Sequence, residues 1–335
     1  MTANQPSREP SNIERSLPRV ERPVESIEFD ALTEAHFHEH HANEGVGRPL
    51  HIKSNPHLLE LHAKWTPGYI KERIGTATIS VDISDDGTFA GGKDQADGTH
   101  RRWVDMSVSE CIDRLTAPPE NKENPKERCY VYGVNAAPFG ALFEDYRPQT
   151  FLVPDGSRIM NTQFWLGGRG NVTPAHFDVA DNFLMQVRGL KKVLLWDPSH
   201  YPHMYVNPIG TKNDRQSRIG ELTPENIARF PNFAHARAQS CELAPGDTIF
   251  IPTGWFHYVE TTEFAISINH FWHPPSLGPF LDASHSMLVK EMRPELLALL
   301  TCLIAERLHL PFSKPLEEAL PLHRQNSPDR SGRGR

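Results

Sequence analysis

A mainly β sandwich or barrel, with an α/β elaboration ahead of it and a helical pair behind it, is the fold class that the sequence predicts. Two observations carry this expectation. From Arg158 onward, short apolar runs recur at close spacing: RIMNTQFWLGG, TPAHFD, NFLMQVRG, KKVLLWD and, after a long loop, QSCELAPGDTIFIPTGWFHYVETTEFAISINHFW. Turn residues separate them at Gly189, at Pro245-Gly246-Asp247 and at Thr253-Gly254, which is the signature of an all-β core. No strand-helix-strand rhythm interrupts the run, and a chain of 335 residues accommodates one enlarged barrel with appended helices.

Ahead of the barrel, residues 1–25 are rich in Pro, Ser and charge, offer little apolar surface to offset ordering entropy, and read as a disordered arm. The polar, His-rich stretch from Phe29 to His41 reads as a short helix, and PLHIK after it as a strand. KWTPGYIKERIG reads as a helix closed by Gly75, and ATISVDIS alternates with the period of a half-buried strand. DDGTFAGGKDQADG is expected to be a loop. In MSVSECIDRL, Ser107 and Glu110 stand in capping-box relation ahead of an apolar stripe, which predicts a helix start. APPENKENPKE reads as a solvated connection and ERCYVYGV as a strand. Behind the barrel, LDASHSMLVKEMRPELLALLTCLIAERLHL reads as two amphipathic helices broken near Pro294. They are more apolar than one exposed face requires, so they are expected to mediate a homodimer.

The formal net charge of -7 gives no basic excess for a phosphate backbone, so nucleic acid is a disfavoured partner and small molecules or proteins are favoured. Cys111, Cys129, Cys241 and Cys302 are far apart, without a CxxC pair, and read as reduced thiols of a cytoplasmic protein. The longest apolar run, Leu296 to Ala305, is too short to span a bilayer, and no membrane association is expected.

Chemistry concentrates in NVTPAHFDVADNF. On a strand, residues two apart share a face, so His176 and Asp178 can direct an imidazole and a carboxylate at one point. A second histidine, His257, stands among aromatic and apolar residues in LAPGDTIFIPTGWFHYVE, where it needs a partner. If the two segments are neighbouring strands, His176, Asp178 and His257 make a two-histidine, one-carboxylate set that leaves three positions of an octahedral metal open. Such a set suits Fe(II) better than a structural zinc, which is usually closed by four ligands. The rival cluster AHFHEHH, with His36, His38, His40 and His41, lies beside the polar arm and reads as a solvated helix face.

NVTPAHFD, DNFLMQVRGLKKVLLWDP, NDRQSRI, FPNF, LAPGDTIFIPTGWFHYVE and SINHFW, taken in order, resemble the JmjC-type Fe(II)- and 2-oxoglutarate-dependent oxygenases. The resemblance is nearest to the asparaginyl hydroxylase that inhibits hypoxia-inducible factor and to the tRNA wybutosine hydroxylase. It implies a double-stranded β-helix (a cupin-like jelly roll), Fe(II) held by His176, Asp178 and His257, 2-oxoglutarate and O2 as cosubstrates, and a dimer through C-terminal helices. By the same resemblance, Lys191, Thr173 and Tyr130 hold the distal carboxylate of 2-oxoglutarate, and Asn182 and Asn269 lie near its metal-chelating end. Arg215 and Gln216, beside Asp214, match the segment that presents Arg and Gln to a target amide, which points to a protein substrate. Gly91, Gly92 and Tyr132 depart from the asparaginyl hydroxylase at substrate-contacting positions, so the target residue is not carried over. The expected boundaries are a catalytic domain over residues 26–275 with its barrel core at about 130–272, a dimerisation element over 276–323 and a polar tail over 324–335. Hydroxylation of a C–H bond in a protein side chain is the expected activity. Hydroxylation of a modified tRNA base or of a free small molecule, and a non-catalytic cupin-like binding module, are the alternatives.

Overall fold

The structure, a computed structural model, describes residues 18–42, 47–85, 89, 101–118, 127–135, 137–146, 159–208 and 215–272. Its N-terminal part comprises β1 (Arg19–Pro23), β2 (Ser26–Glu28), α1 (Glu34–His40), β3 (Leu50–Lys53), α2 (Pro56–Lys64), α3 (Pro67–Ile74), β4 (Thr78–Ser84), β5 (Arg101–Ser107), α4 (Val108–Thr116) and β6 (Arg128–Asn135). The helix starts follow from short polar side chains placed to accept otherwise orphaned amides. Thr33, Asn55, Thr66 and Ser107 cap α1, α2, α3 and α4, and Pro56 and Pro67 occupy first-turn positions that need no donor.

The barrel follows as β7 (Ile159–Gly167), β8 (Asn171–His176), β9 (Asp181–Arg188), β10 (Lys191–Trp196), a short α5 (Pro224–Ala228), β11 (Arg237–Leu243), β12 (Thr248–Ile251), β13 (Phe256–Thr261) and β14 (Ala265–Trp272). Its strands divide between a sheet ordered β1-β11-β10-β13-β8 and a larger one ordered β2-β3-β12-β9-β14-β7-β6-β4-β5. Strands β7, β14, β9 and β12 on one side face β8, β13, β10 and β11 on the other, which is the jelly-roll arrangement. The mainly β fold expected from the strand spacing is therefore observed.

Period-two alternation decides what lies between the sheets. Val193, Leu195, Leu243 and Val259 from the smaller sheet meet Leu184, Ile249 and Ile251 from the larger one in an apolar interior. The opposite face of the smaller sheet, with Trp196, Phe256 and Tyr258, is covered by the connection carrying Tyr201, Ile227 and Phe233. Helices α1 to α4 cover the outer face of the larger sheet around Leu58, Trp65, Ile112, Phe164 and Phe250. Gly189 closes the β9-β10 hairpin at φ +73, where a Cβ would lie 2.1 Å from the Phe264 carbonyl oxygen, so no side chain fits.

Several expectations need correction. The disordered arm over residues 1–25 is too long: Arg19–Pro23 pairs in parallel with the edge of β11, and Val24 is buried in the interior cluster. Main-chain pairing orders a segment whose side chains are mostly exposed and charged. The single helix expected in KWTPGYIKERIG begins only at Pro67, after the Thr66 cap, and α2 and β5 were not anticipated. The His-rich helix is not simply a solvated face. Phe37 is buried between Phe183 and Phe250, and His41 is buried with Nδ1 donating to the Arg48 carbonyl at 3.2 Å. The expected loop around Gly91 and Gly92, Asp214, Cys302, and the C-terminal helices and tail lie outside the described residues, as does most of the connection APPENKENPKE.

Candidate metal centre and cosubstrate pocket

Strands β8 and β13 are antiparallel neighbours, and their register sets His176 opposite His257. The two rings lie 4.1 Å apart between centroids. Asp178 falls two residues beyond the end of β8, and its Oδ2 lies 3.6 Å from His257 Nε2. One ligand atom from each of the three residues falls within 4.8 Å of the others, and they form the one such cluster among the described residues. The structure brings together the three residues that the sequence spacing singled out, although Asp178 reaches the point from beyond the end of the strand.

Both imidazoles are pre-set for coordination. His176 Nδ1 lies 2.9 Å from the Pro174 carbonyl, and His257 Nδ1 lies 3.1 Å from that of Trp255. A carbonyl only accepts, so each Nδ1 carries the proton and each Nε2 keeps its lone pair for a metal. Burial and the neighbouring His176 push the His257 imidazole down to about 4, so it is neutral at pH 7 and its contact with Asp178 is not an ion pair. Two neutral nitrogens and a carboxylate in one cluster form a donor set that fits Fe(II).

A turn holds the carboxylate ligand. Gly254 N donates to the Asp178 carbonyl at 2.8 Å, and the buried Asp181 carboxylate accepts from Thr253 N and Thr253 Oγ1, both at 2.9 Å. Phe177, between the first two ligands, packs edge-on against Phe256 on the outer face.

Further down the same interior face, Lys191 is buried on β10, opposite Thr261 on β13. Its ammonium sits 5.9 Å from the centre of the Trp165 ring, with no carboxylate paired to it among the described residues. Burial pushes its pKa down to about 7. Tyr130 and Thr173 share a hydrogen bond of 2.8 Å, and burial pushes the Tyr130 phenol up to about 12, keeping it neutral. An unpaired buried amine beside hydroxyls, at the end of an apolar interior, fits a carboxylate. Asn182 and Asn269 pair on adjacent strands, Asn269 Nδ2 donating to Asn182 Oδ1 at 3.0 Å, while Asn269 Oδ1 is buried without a partner among the described residues.

The expected substrate residues are placed less completely. Arg215 and Gln216 run alongside β8: Phe177 N donates to the Arg215 carbonyl, Ser217 N to the Ala175 carbonyl, and Gln216 bridges His176. Arg215 adopts φ 66, a left-handed conformation uncommon outside glycine. Tyr132 belongs to β6, but its side chain lies outside the described residues. Thr261 was not singled out from sequence, and only the strand register brings it opposite Lys191.

Comparison with known proteins agrees with this geometry. The profile of a cupin-like domain matches residues 34–277. The human tRNA wybutosine-synthesizing protein 5 is 41% identical over 260 residues, covering 70% of this chain and 78% of that protein. The lysine-specific demethylase JMJ31 of Arabidopsis thaliana is 27% identical over 72% of this chain, and lysine-specific demethylase 8 of Danio rerio is 33% identical over 62%. The chain spans about half the length of each demethylase, at 49% and 48%. With the jelly roll, the histidine-aspartate cluster and these relatives in hand, the chain belongs to the cupin-like JmjC family.

Proposed function

We propose that this protein is an Fe(II)- and 2-oxoglutarate-dependent dioxygenase that hydroxylates a C–H bond. The observation that carries the reading is the joint presence of an open three-ligand cluster and a buried, unpaired Lys191 on one interior face. His176, Asp178 and His257 would hold Fe(II), and Lys191, Thr173 and Tyr130 the distal carboxylate of 2-oxoglutarate. Iron and 2-oxoglutarate, when bound, supply the activation of dioxygen that no side chain provides. The chain's own residues orient and exclude. The protonated Nδ1 atoms fix both imidazoles, the Asp181-Thr253 pair fixes the turn behind Asp178, and the apolar interior around Leu184, Val193 and Val259 keeps water out.

For the substrate, the favoured reading is a protein side chain, supported by Arg215 and Gln216 alongside His176. A modified tRNA base is the second reading, favoured by the 41% identity to the human tRNA wybutosine-synthesizing protein 5. The buried thiols Cys111, Cys129 and Cys241 suit a reducing compartment, and we take the cytoplasm as its location. The test supplies Fe(II), 2-oxoglutarate and O2 with a peptide pool or a tRNA pool and follows succinate and added oxygen by mass spectrometry. Iron-dependent succinate with oxygen added to peptides is expected. Succinate formation that needs no iron would overturn the assignment, and oxygen added only to tRNA would favour the second reading.

A further inference from the structure

We propose that Thr261 is a further cosubstrate-binding residue, its hydroxyl donating to the carboxylate that Lys191 pairs with. The inference rests on the oxygenase reading and deepens it. Thr261 is buried on the interior face of β13, and its Oγ1 has no hydrogen-bond partner among the described residues. A buried hydroxyl left unsatisfied is costly, so such an atom needs an explanation.

The nearest polar groups do not supply one. Asn171, opposite Thr261 on β8, spends its side chain elsewhere, accepting from Gly168 N at 2.7 Å and donating to the Cys129 carbonyl at 2.9 Å. Lys191, opposite on β10, is itself a donor. Two donors on paired positions, with no acceptor bonded to either among the described residues, describe half of an anion site.

Gly167 brings the two sides of the pocket together. A Cβ there would crowd Thr261 Oγ1 and Tyr130 Cε2, each at 3.3 Å, so the absence of a side chain lets Thr261 approach the Tyr130 ring. Donor counting then favours a role for Thr261. In the Tyr130-Thr173 hydrogen bond one of the two hydroxyl protons is already spent. A carboxylate has about four acceptor sites. Thr261 supplies a neutral donor that the pair alone does not, beside the charged one from Lys191.

The test uses the full chain loaded with Mn(II), without oxygen, and titrates 2-oxoglutarate calorimetrically into wild type, Thr261→Val, Thr261→Ser and Lys191→Ala. Valine keeps the branched shape and removes the hydroxyl. Thr261→Val is expected to weaken 2-oxoglutarate binding by roughly tenfold to a hundredfold, as for a hydrogen bond to a charged group. Thr261→Ser should stay close to wild type, and Mn(II) affinity should not move. The melting temperature of ligand-free Thr261→Val should be unchanged or higher, because an unpaired buried hydroxyl has been removed. Wild-type affinity in Thr261→Val, with affinity lost in Lys191→Ala, would overturn this proposal and leave the oxygenase reading standing. A lower melting temperature in ligand-free Thr261→Val would likewise assign the hydroxyl to the fold and overturn it. No binding to wild type would overturn both.

Discussion

Lys191 couples the pocket to pH. Burial pushes its amine down to about 7 in the absence of an anion, and the groups facing it are Trp165, Thr261 and the apolar residues of β11 and β13. Tyr130, on the wall of the same pocket, stays a neutral phenol. Below about 7 the ammonium is present before the carboxylate arrives. Above it, the pocket holds a neutral amine, and binding a carboxylate must bring in a proton. The apparent affinity for 2-oxoglutarate should therefore fall as pH rises above about 7, approaching roughly tenfold per unit. Titrations at about pH 8.5 in buffers of different ionisation heat should report an uptake near one proton. A proton uptake of zero would mean that Lys191 stays charged in the empty pocket. At this scale the candidate metal cluster was legible, because a His-x-Asp at the end of a strand and a histidine in an apolar run each point to a shared site in the sequence. Thr261 was not, because its partnership with Lys191 exists only across strands 70 positions apart in the chain.

At the scale of elements, the turn behind the metal cluster is the part whose loss should be felt twice. Asp181→Ala strips the acceptor from Thr253 N and Oγ1, both buried, and should destabilise the fold by ~1–3 kcal/mol. It should also weaken Mn(II) binding, since the same turn anchors the Asp178 carbonyl through Gly254. Chemical denaturation and a metal titration of the variant check both, and an unchanged metal affinity would separate the turn from the site. Helix α1 is held chiefly by Phe37 between Phe183 and Phe250, so Phe37→Ala should cost ~3–5 kcal/mol in the same denaturation experiment. A loss under 1 kcal/mol would mean that the helix is not docked through that ring. Elements with a clear period were legible: β4, the Ser107-capped α4 and the strands from β6 to β14. Strands β1 and β5 were not, because RVERP and RRWVDMS are charged segments ordered by pairing at sheet edges.

For the whole molecule, a jelly roll carries the candidate metal cluster on two neighbouring strands, with the proposed carboxylate pocket deeper along the same face. Among the described residues no helix is long and apolar enough to cross a membrane. The apolar stripes of the C-terminal segment, residues 276–323, lead us to propose a homodimer. Light scattering should show wild type as a dimer and a chain truncated after Pro275 as a monomer. A truncated chain that stays dimeric would place the interface elsewhere. The jelly roll was legible from strand spacing and the family resemblance, whereas the packing of α1 to α4 against the larger sheet was not, since their partners are remote in sequence. The central claim is that one interior face holds both a metal and a dicarboxylate. Its most direct test is the anaerobic titration of 2-oxoglutarate into Mn(II)-loaded wild type and Lys191→Ala. Leaving a buried carboxylate without its partner costs ~3–5 kcal/mol, so affinity should fall by roughly two to three and a half orders of magnitude while Mn(II) affinity holds. Equal affinities for 2-oxoglutarate in the two proteins would contradict the account.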